Sequence, residues 1–273
     1  MAYTQVQLRT KMLREAGLYL TGTADSTVDT TSVTDATLGY LSAQEKVGHW
    51  LYIPTSTGGG TAITRESRKI SVFAPATGDF TVATAFSGIP QTADVFYVMP
   101  WTHDEIETAL NNAIVRAGLR AITIDTSLTT AANTYKYTVP TARQGDDLYR
   151  VEIQGSPSDV YAGIKRWKRN NATDLVLYSQ YTSGKTIRTW YRGNYTAYAT
   201  EAASWAITDE EALLVCAWAI VELTRLLYQR SRGQTKDDIR QEIEMWINVA
   251  MDRQRRYTPK LDDNTQLIRS WLA

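Results

Sequence analysis

A chain of 273 residues exceeds one ordinary hydrophobic core, so two or three packed units are expected. Hydrophobic residues make up 43% and charged ones 21%, which excludes a disordered chain. The 29 basic and 29 acidic side chains cancel, which excludes bulk charge as a reason to bind nucleic acid or anionic lipid. The single cysteine, Cys216, excludes an intrachain disulfide framework and a cysteine-based zinc site. No charged segment followed by an apolar one opens the chain, so no secretory signal and synthesis in a reducing cytoplasm are expected. Sixteen Tyr and eight Trp exceed the needs of one modest core and point to β-sheets and interfaces.

Thr4-x-x-Gln7 is a capping box, in which the two side chains each satisfy an orphan backbone N–H. It predicts a short helix over 5–16, with Leu8, Met12 or Leu13 and Ala16 on one face and Gly17 ending it. Residues 21–40, rich in Thr, Ser, Asp and Gly, read as an extended connector. Over 47–99 short alternating runs predict strands at His49–Ile53, Arg68–Ala74, Phe80–Thr84 and Val95–Met99, with Ile70 and Val72 on one face. Their spacing suggests a small barrel or sandwich. Thr102-x-x-Glu105 caps a helix over 103–120, whose apolar stripe is Ile106, Leu110, Ala113, Ile114 and Ala117. Residues 122–204 return to β, with strands at Tyr135–Val139, Leu148–Ile153, Lys165–Arg169, Leu175–Tyr178 and Thr186–Tyr191, a second all-β unit.

The most strongly patterned stretch is Thr208–Tyr257. Thr208-x-x-Glu211 caps a helix over 209–232, and from Ala212 to Val221 it carries no polar side chain, so it belongs inside a bundle. That run is about half the ~20 residues needed to span a bilayer, so no membrane segment is expected. Gly233 is placed at the C′ position, and Thr235 caps a second helix over 236–256 with Ile239, Ile243, Trp246, Ile247 and Ala250 on one stripe. Leu213, Leu214, Ile220, Leu223, Ile243 and Ile247 are the expected core of the helix bundle. The predicted fold is α+β: a four-helix bundle core with two inserted small all-β modules and an extended C-terminal arm. The segments are 1–20, 101–121 and 205–256 for the bundle, 21–100 and 122–204 for the β modules, and 257–273 for the arm.

Candidate chemistry is sparse. Ser183-Gly184-Lys185-Thr186 matches the tail of a phosphate-binding loop, but Ser179 stands where its first glycine belongs, and a hairpin turn is expected instead. His49 and His103 are the only histidines, and neither lies in a metal-ligand spacing; both read as structural. The pairs Asp146-Asp147 and Asp262-Asp263 read as solvated loop charge. Arg166-Trp167-Lys168-Arg169 mixes cations with an aromatic; on a strand Trp167 would point inward and the charges outward, with phosphate-backbone contact as the alternative. No catalytic residue, cofactor or metal is expected.

Three stretches carry a resemblance: Gly48-His-Trp-Leu-Tyr-Ile53, Arg68-Lys-Ile-Ser-Val-Phe73 with Thr77-Gly-Asp-Phe-Thr-Val82, and Ala93-Asp-Val-Phe-Tyr-Val98 leading into Thr102-His-Asp-Glu-Ile-Glu-Thr-Ala-Leu-Asn111. In this order, after a short N-terminal helix, they resemble head-to-tail adaptor (connector, neck) proteins of tailed bacteriophages. Tyr135–Pro140, Asp147–Val151 and the closing helix pair resemble the second half of such proteins. The resemblance implies a non-enzymatic virion protein, made in the host bacterial cytoplasm, that forms a ring, commonly of twelve copies. The ring would sit below the portal protein, receive a tail or nozzle protein, and pass DNA through its bore without specific binding. Leu267, Ile268, Trp271 and Leu272 fall on one apolar face of a short helix, and the resemblance implies that this C-terminal arm reaches the portal or a neighbouring subunit with Trp271 as anchor; folding back on its own bundle is the alternative. A tail-tube or tail-tip protein remains an alternative, as do a host-carbohydrate-binding module with Trp50, Trp167 and Trp190 as stacking platforms and a virion-associated hydrolase.

Overall fold

The computed structural model describes residues 2–25, 29–42, 46–56, 61–158, 160–231 and 235–256. In chain order the elements are β1 (Ala2–Thr4), α1 (Gln5–Glu15), β2 (Leu20–Thr23), β3 (Ser32–Thr34), β4 (Trp50–Ser56), β5 (Ile63–Ala74), β6 (Asp79–Val82), β7 (Val95–Met99) and α2 (His103–Arg116). There follow β8 (Ala121–Thr129), β9 (Lys136–Thr138), β10 (Asp147–Gln154), β11 (Tyr161–Gly163), β12 (Trp167–Arg169), β13 (Asp174–Leu177), β14 (Thr186–Gly193), β15 (Ser204–Ala206), α3 (Asp209–Arg230) and α4 (Thr235–Arg256). The described chain divides into two compact units, 2–117 with 198–256, and 118–197.

The first unit joins all four helices to a curled six-stranded antiparallel sheet of order β2-β7-β4-β5-β6-β3. Inward residues of those strands, among them Leu51, Ile53, Ile70, Phe73, Phe80 and Phe96, form a core of their own. A bulge in β5 between Ile70 and Val72 shifts the alternation, so Ile70 and Phe73 are buried while Val72 is 54% exposed. The predicted Ile70–Val72 face is thereby corrected. The 21–40 stretch, expected to be a connector, supplies β2 and β3. Asp35 pins it: its carboxylate accepts the N–H groups of Thr23 (2.8 Å) and Thr37 (2.9 Å). Gly78 makes this possible. At φ +67° a Cβ there would sit 1.9 Å from the Asp35 carbonyl oxygen, so only glycine fits beside that backbone.

Among the helices, α3 packs against α1, α2 and α4. All three capping boxes form; at the start of α3 Thr208 N–H donates to Glu211 (2.6 Å) and Glu211 N–H to the Thr208 hydroxyl (3.2 Å). Ala212 and Leu214–Val221 are buried, as the absence of polar side chains there demands. Two of the helix's carbonyls are met from outside: Trp101 Nε1 donates to Leu223 (3.0 Å) and Arg253 to Leu213 (2.8 Å). The N-terminal strand closes the unit by pairing β1 with β15, where Tyr198 stacks on Trp205 at 3.8 Å.

The expectation of a four-helix bundle core carrying small β insertions is wrong. Strand accounts for 33% of the chain and helix for 31%, and the six-stranded sheet is a layer of the same unit as the helices. Capping boxes and long apolar runs are dense local signals, whereas a three-residue strand leaves almost none, so the helices dominated the reading. Burial corrects the core as well: Leu214, Ile220 and Leu223 are fully buried, but Leu213, Ile243 and Ile247 are half-buried. Gly233 and the 257–273 arm lie outside the described residues.

The second unit is all-β. A four-stranded sheet of order β11-β10-β14-β8 and a three-stranded sheet of order β12-β13-β9 share one core of Val139, Leu148, Val151, Leu175, Leu177, Ile187 and Tyr191. Trp167 packs against that core, as its place in an alternating strand predicts.

Truncating a helix residue should therefore cost most in α3. Ile220→Ala is expected to lose about 2–5 kcal/mol in urea unfolding, and Ile243→Ala on half-buried α4 less than half as much. Equal losses would show that α4 is as deeply packed as α3.

Candidate functional site

Of the two histidines, His103 has the richer surroundings. It is the first residue of α2 and is 1% exposed. Its ring lies flat on Tyr52 of β4, with centroids 4.3 Å apart and planes 5° from parallel. Nδ1 is 3.1 Å from Arg9 of α1, and Nε2 is 2.9 Å from Arg65 of β5. A neutral imidazole has one N–H and one acceptor nitrogen, so only one of these arginines can donate to it. Arg9 is wholly buried and donates to Glu201, ahead of β15, at 2.6 Å; the Tyr52 hydroxyl donates to the same carboxylate. Rings of Tyr52 and Tyr97 lie 4.8 and 4.7 Å from the Arg9 guanidinium carbon. Arg65 also reaches Glu107, one turn along α2 from His103. It does so from a left-handed backbone conformation (φ 54°), uncommon for a long side chain.

Burial pushes the His103 imidazole down to about 4, and the Arg9 and Arg65 charges push the same way. Burial alone would raise the Glu201 carboxyl, but Arg9 and the Tyr52 hydroxyl outweigh it and hold the group below the usual range. At neutral pH the cluster is thus Arg⁺, Glu⁻ and neutral His. Arg9 and His103 are closed to solvent, while Glu201, Arg65 and Glu107 are partly exposed. Chemically it is a joint: one buried guanidinium ties α1, β4, α2 and the segment before β15 together.

The other sequence candidates do not converge on it. His49, just before β4, takes no part, and burial with Lys46 lowers its ring. Ser183–Thr186 is the turn into β14, with Gly184 at φ +85° and the Lys185 N–H donating to the Thr130 hydroxyl at 2.8 Å. Asp146 takes Arg143 at 3.3 Å. Trp50 and Trp167 are half-buried, and the Trp190 indole N–H donates to Glu152 at 3.0 Å. Asp262, Asp263, Leu267, Ile268, Trp271 and Leu272 lie outside the described residues.

Two features escaped the sequence reading. The zero net charge conceals a segregation: residues 118–197 hold eleven Lys and Arg against six Asp and Glu, a net +5, which leaves −5 for the rest of the chain. A windowed charge count would have found it. On the four-stranded sheet of this unit the cations alternate with rings. Arg188 lies 3.8 Å from the Tyr161 ring, Arg150 lies 5.3 Å from Trp190, and Arg192 lies 4.2 Å from Tyr149. Glu152, 1% exposed, takes both Arg150 (2.6 Å) and Arg188 (2.5 Å). The second feature is α4. Only Trp246 and Ala250 are buried along its 22 residues, while Met245 is 50% and Met251 43% exposed.

Comparison with protein-family models and with curated proteins finds no match. Among the described residues no helix is long and apolar enough to cross a membrane, and no three His, Cys, Asp or Glu side chains converge as metal ligands would.

The cluster makes stability depend on pH. His103 and Glu201 both have folded-state values below their unfolded ones, so the unfolded chain binds more protons and stability falls as pH falls. The His103 share is complete above its ordinary value of 6.5 and is lost on the way down to about 4, whereas the Glu201 share is complete above its ordinary value of 4.5 and is lost only as pH falls below it. His103→Asn should remove most of the slope of unfolding free energy between pH 6.5 and 4, a difference on the order of 3 kcal/mol. An unchanged slope in urea titrations would show that His103 is not held neutral.

Proposed function

We propose that the chain is a structural virion protein, a head-to-tail adaptor that forms a ring below the portal and joins the DNA-filled head to the tail. The observation that carries this reading is α4. Its stripe of Ile239, Ile243 and Ile247 stays half-buried against α3, and two methionines on it are exposed, so this long helix holds more apolar surface than its own unit covers. A side-by-side copy would cover it. Such heterologous contacts close into a ring when the rotation between copies divides a full turn. The likeness of Thr102–Asn111 and its flanking strands to adaptor proteins supports the same reading. The portal and a tail or nozzle protein are the proposed partners, and Leu267, Ile268, Trp271 and Leu272 the proposed portal contact.

Negative-stain imaging with portal-bearing heads tests it. The full chain should appear as a ring at the portal vertex and co-sediment with heads, and a chain lacking 262–273 should fold but fail to co-sediment. Isolated copies or a two-fold dimer on the heads would contradict the ring, and normal docking of the shortened chain would contradict the arm.

A further inference from the structure

We propose that the outer face of the three-stranded sheet β12-β13-β9 is a docking surface for the sugar–phosphate backbone of nucleic acid. The inference stands on charge and geometry in the second unit and does not rest on the adaptor reading. Trp167, Leu175, Leu177 and Tyr137 face the core from these strands, so the residues alternating with them face out. Those are Arg166 and Lys168 on β12 and its approach, Val176 and Tyr178 at β13, and Lys136 on β9. Arg166 and Lys168 are two positions apart, about 6.6 Å along the strand. Both are exposed, as is Lys165 just before them, and among the described residues none of the three has a carboxylate partner. Tyr178, 58% exposed, stands opposite Arg166, its N–H donating to the Arg166 carbonyl at 3.2 Å. Asp174 is the one carboxylate among the described residues of β9, β12 and β13, and Lys136 neutralises it at 2.8 Å. The face therefore keeps uncompensated positive charge within a segment of net +5.

The chemistry of the face selects the occupant. Protein–protein interfaces centre on apolar residues and are depleted in lysine, whereas Val176 is the only aliphatic residue here. Exposed Asn170 at the rim supplies a neutral hydrogen-bonding group of the kind that accompanies cations on phosphates and sugars. An exposed tyrosine among cations suits a nucleic-acid base or ribose edge. With Trp167 anchored in the core, the cations are presented by a fixed strand and need little ordering on binding.

Fluorescence anisotropy with labelled 30-nucleotide mixed-sequence DNA, single- and double-stranded, tests the proposal on the full chain. Three phosphate contacts predict duplex affinity about 40-fold weaker in 200 mM than in 50 mM salt. In R166E/K168E the salt effect should fall to about 4-fold, because roughly one contact remains. K69E/R240E, the same charge change at exposed sites in the first unit, should behave as wild type. Should the reversed pair fail to fold by circular dichroism, R166Q/K168Q is read for the same loss of salt dependence. Absence of binding by the wild type at 50 mM salt overturns the proposal, as does equal weakening by the control pair. If the reversed pair breaks up an oligomer by mass photometry while DNA binding stays intact, the face belongs to a copy–copy contact and the proposal falls.

Discussion

A helical stretch of ten residues without a polar side chain, Ala212–Val221, has no face suited to water, and all of it but half-buried Leu213 is buried. The first unit is arranged to satisfy that constraint. Helices α1, α2 and α4 each lie against α3, and the buried thiol of Cys216 even finds the Leu8 carbonyl at 3.7 Å. Enclosing α3 fixes where its neighbours end. Trp101 closes the gap before α2 by donating to the Leu223 carbonyl. Arg253, near the end of α4, reaches both the Leu213 carbonyl and Glu15 of α1 (2.9 Å). Hydrophobic burial sets the arrangement, and these few directed bonds set its register.

Where the sheet meets the helices a charge, Arg9, lies in the interior. Burying Arg9 without a counterion would cost several kcal/mol, so Glu201, two aromatic faces and the neutral His103 ring surround it. The same residues come from four separate parts of the chain, so the ion pair forms only when all four are in place; even then, among the described residues, Arg9 Nε and Nη2 are buried without a hydrogen-bond partner. Such a group adds little net stability over an apolar core of equal size, but it penalises every alternative packing that would strand the guanidinium.

Much of this was legible beforehand, for reasons that can be assigned. Thr4, Thr102 and Thr208 mark helix starts because a capping box is a four-residue, self-contained arrangement. Strands β13 and β14 alternate over a buried face, and β4 and β10 are short apolar-rich runs; all four were readable as strands. What failed depended on partners distant in sequence. The chain at 21–40 forms strands only because Asp35 meets Gly78 and β7 lies alongside; β1 exists only because residues 204–206 return to it. Val72 faces out because of a bulge that no local pattern announces. Nor could composition reveal that a net charge of zero is built from two oppositely charged parts, or that Arg9 is buried as a charge beside a neutral His103. The apolar stripe of α4 was read correctly as a stripe, yet its burial is a property of what packs on it.

Helix α3 is the element on which the first unit depends, and native-state hydrogen exchange measures that directly. Amides of 212–224 should exchange only through global unfolding and be the slowest in the unit, with those of α4 opening at lower free energy. If α3 exchanged as fast as α4, or faster than the strands of the six-stranded sheet, the unit would be held together elsewhere and the account would be wrong.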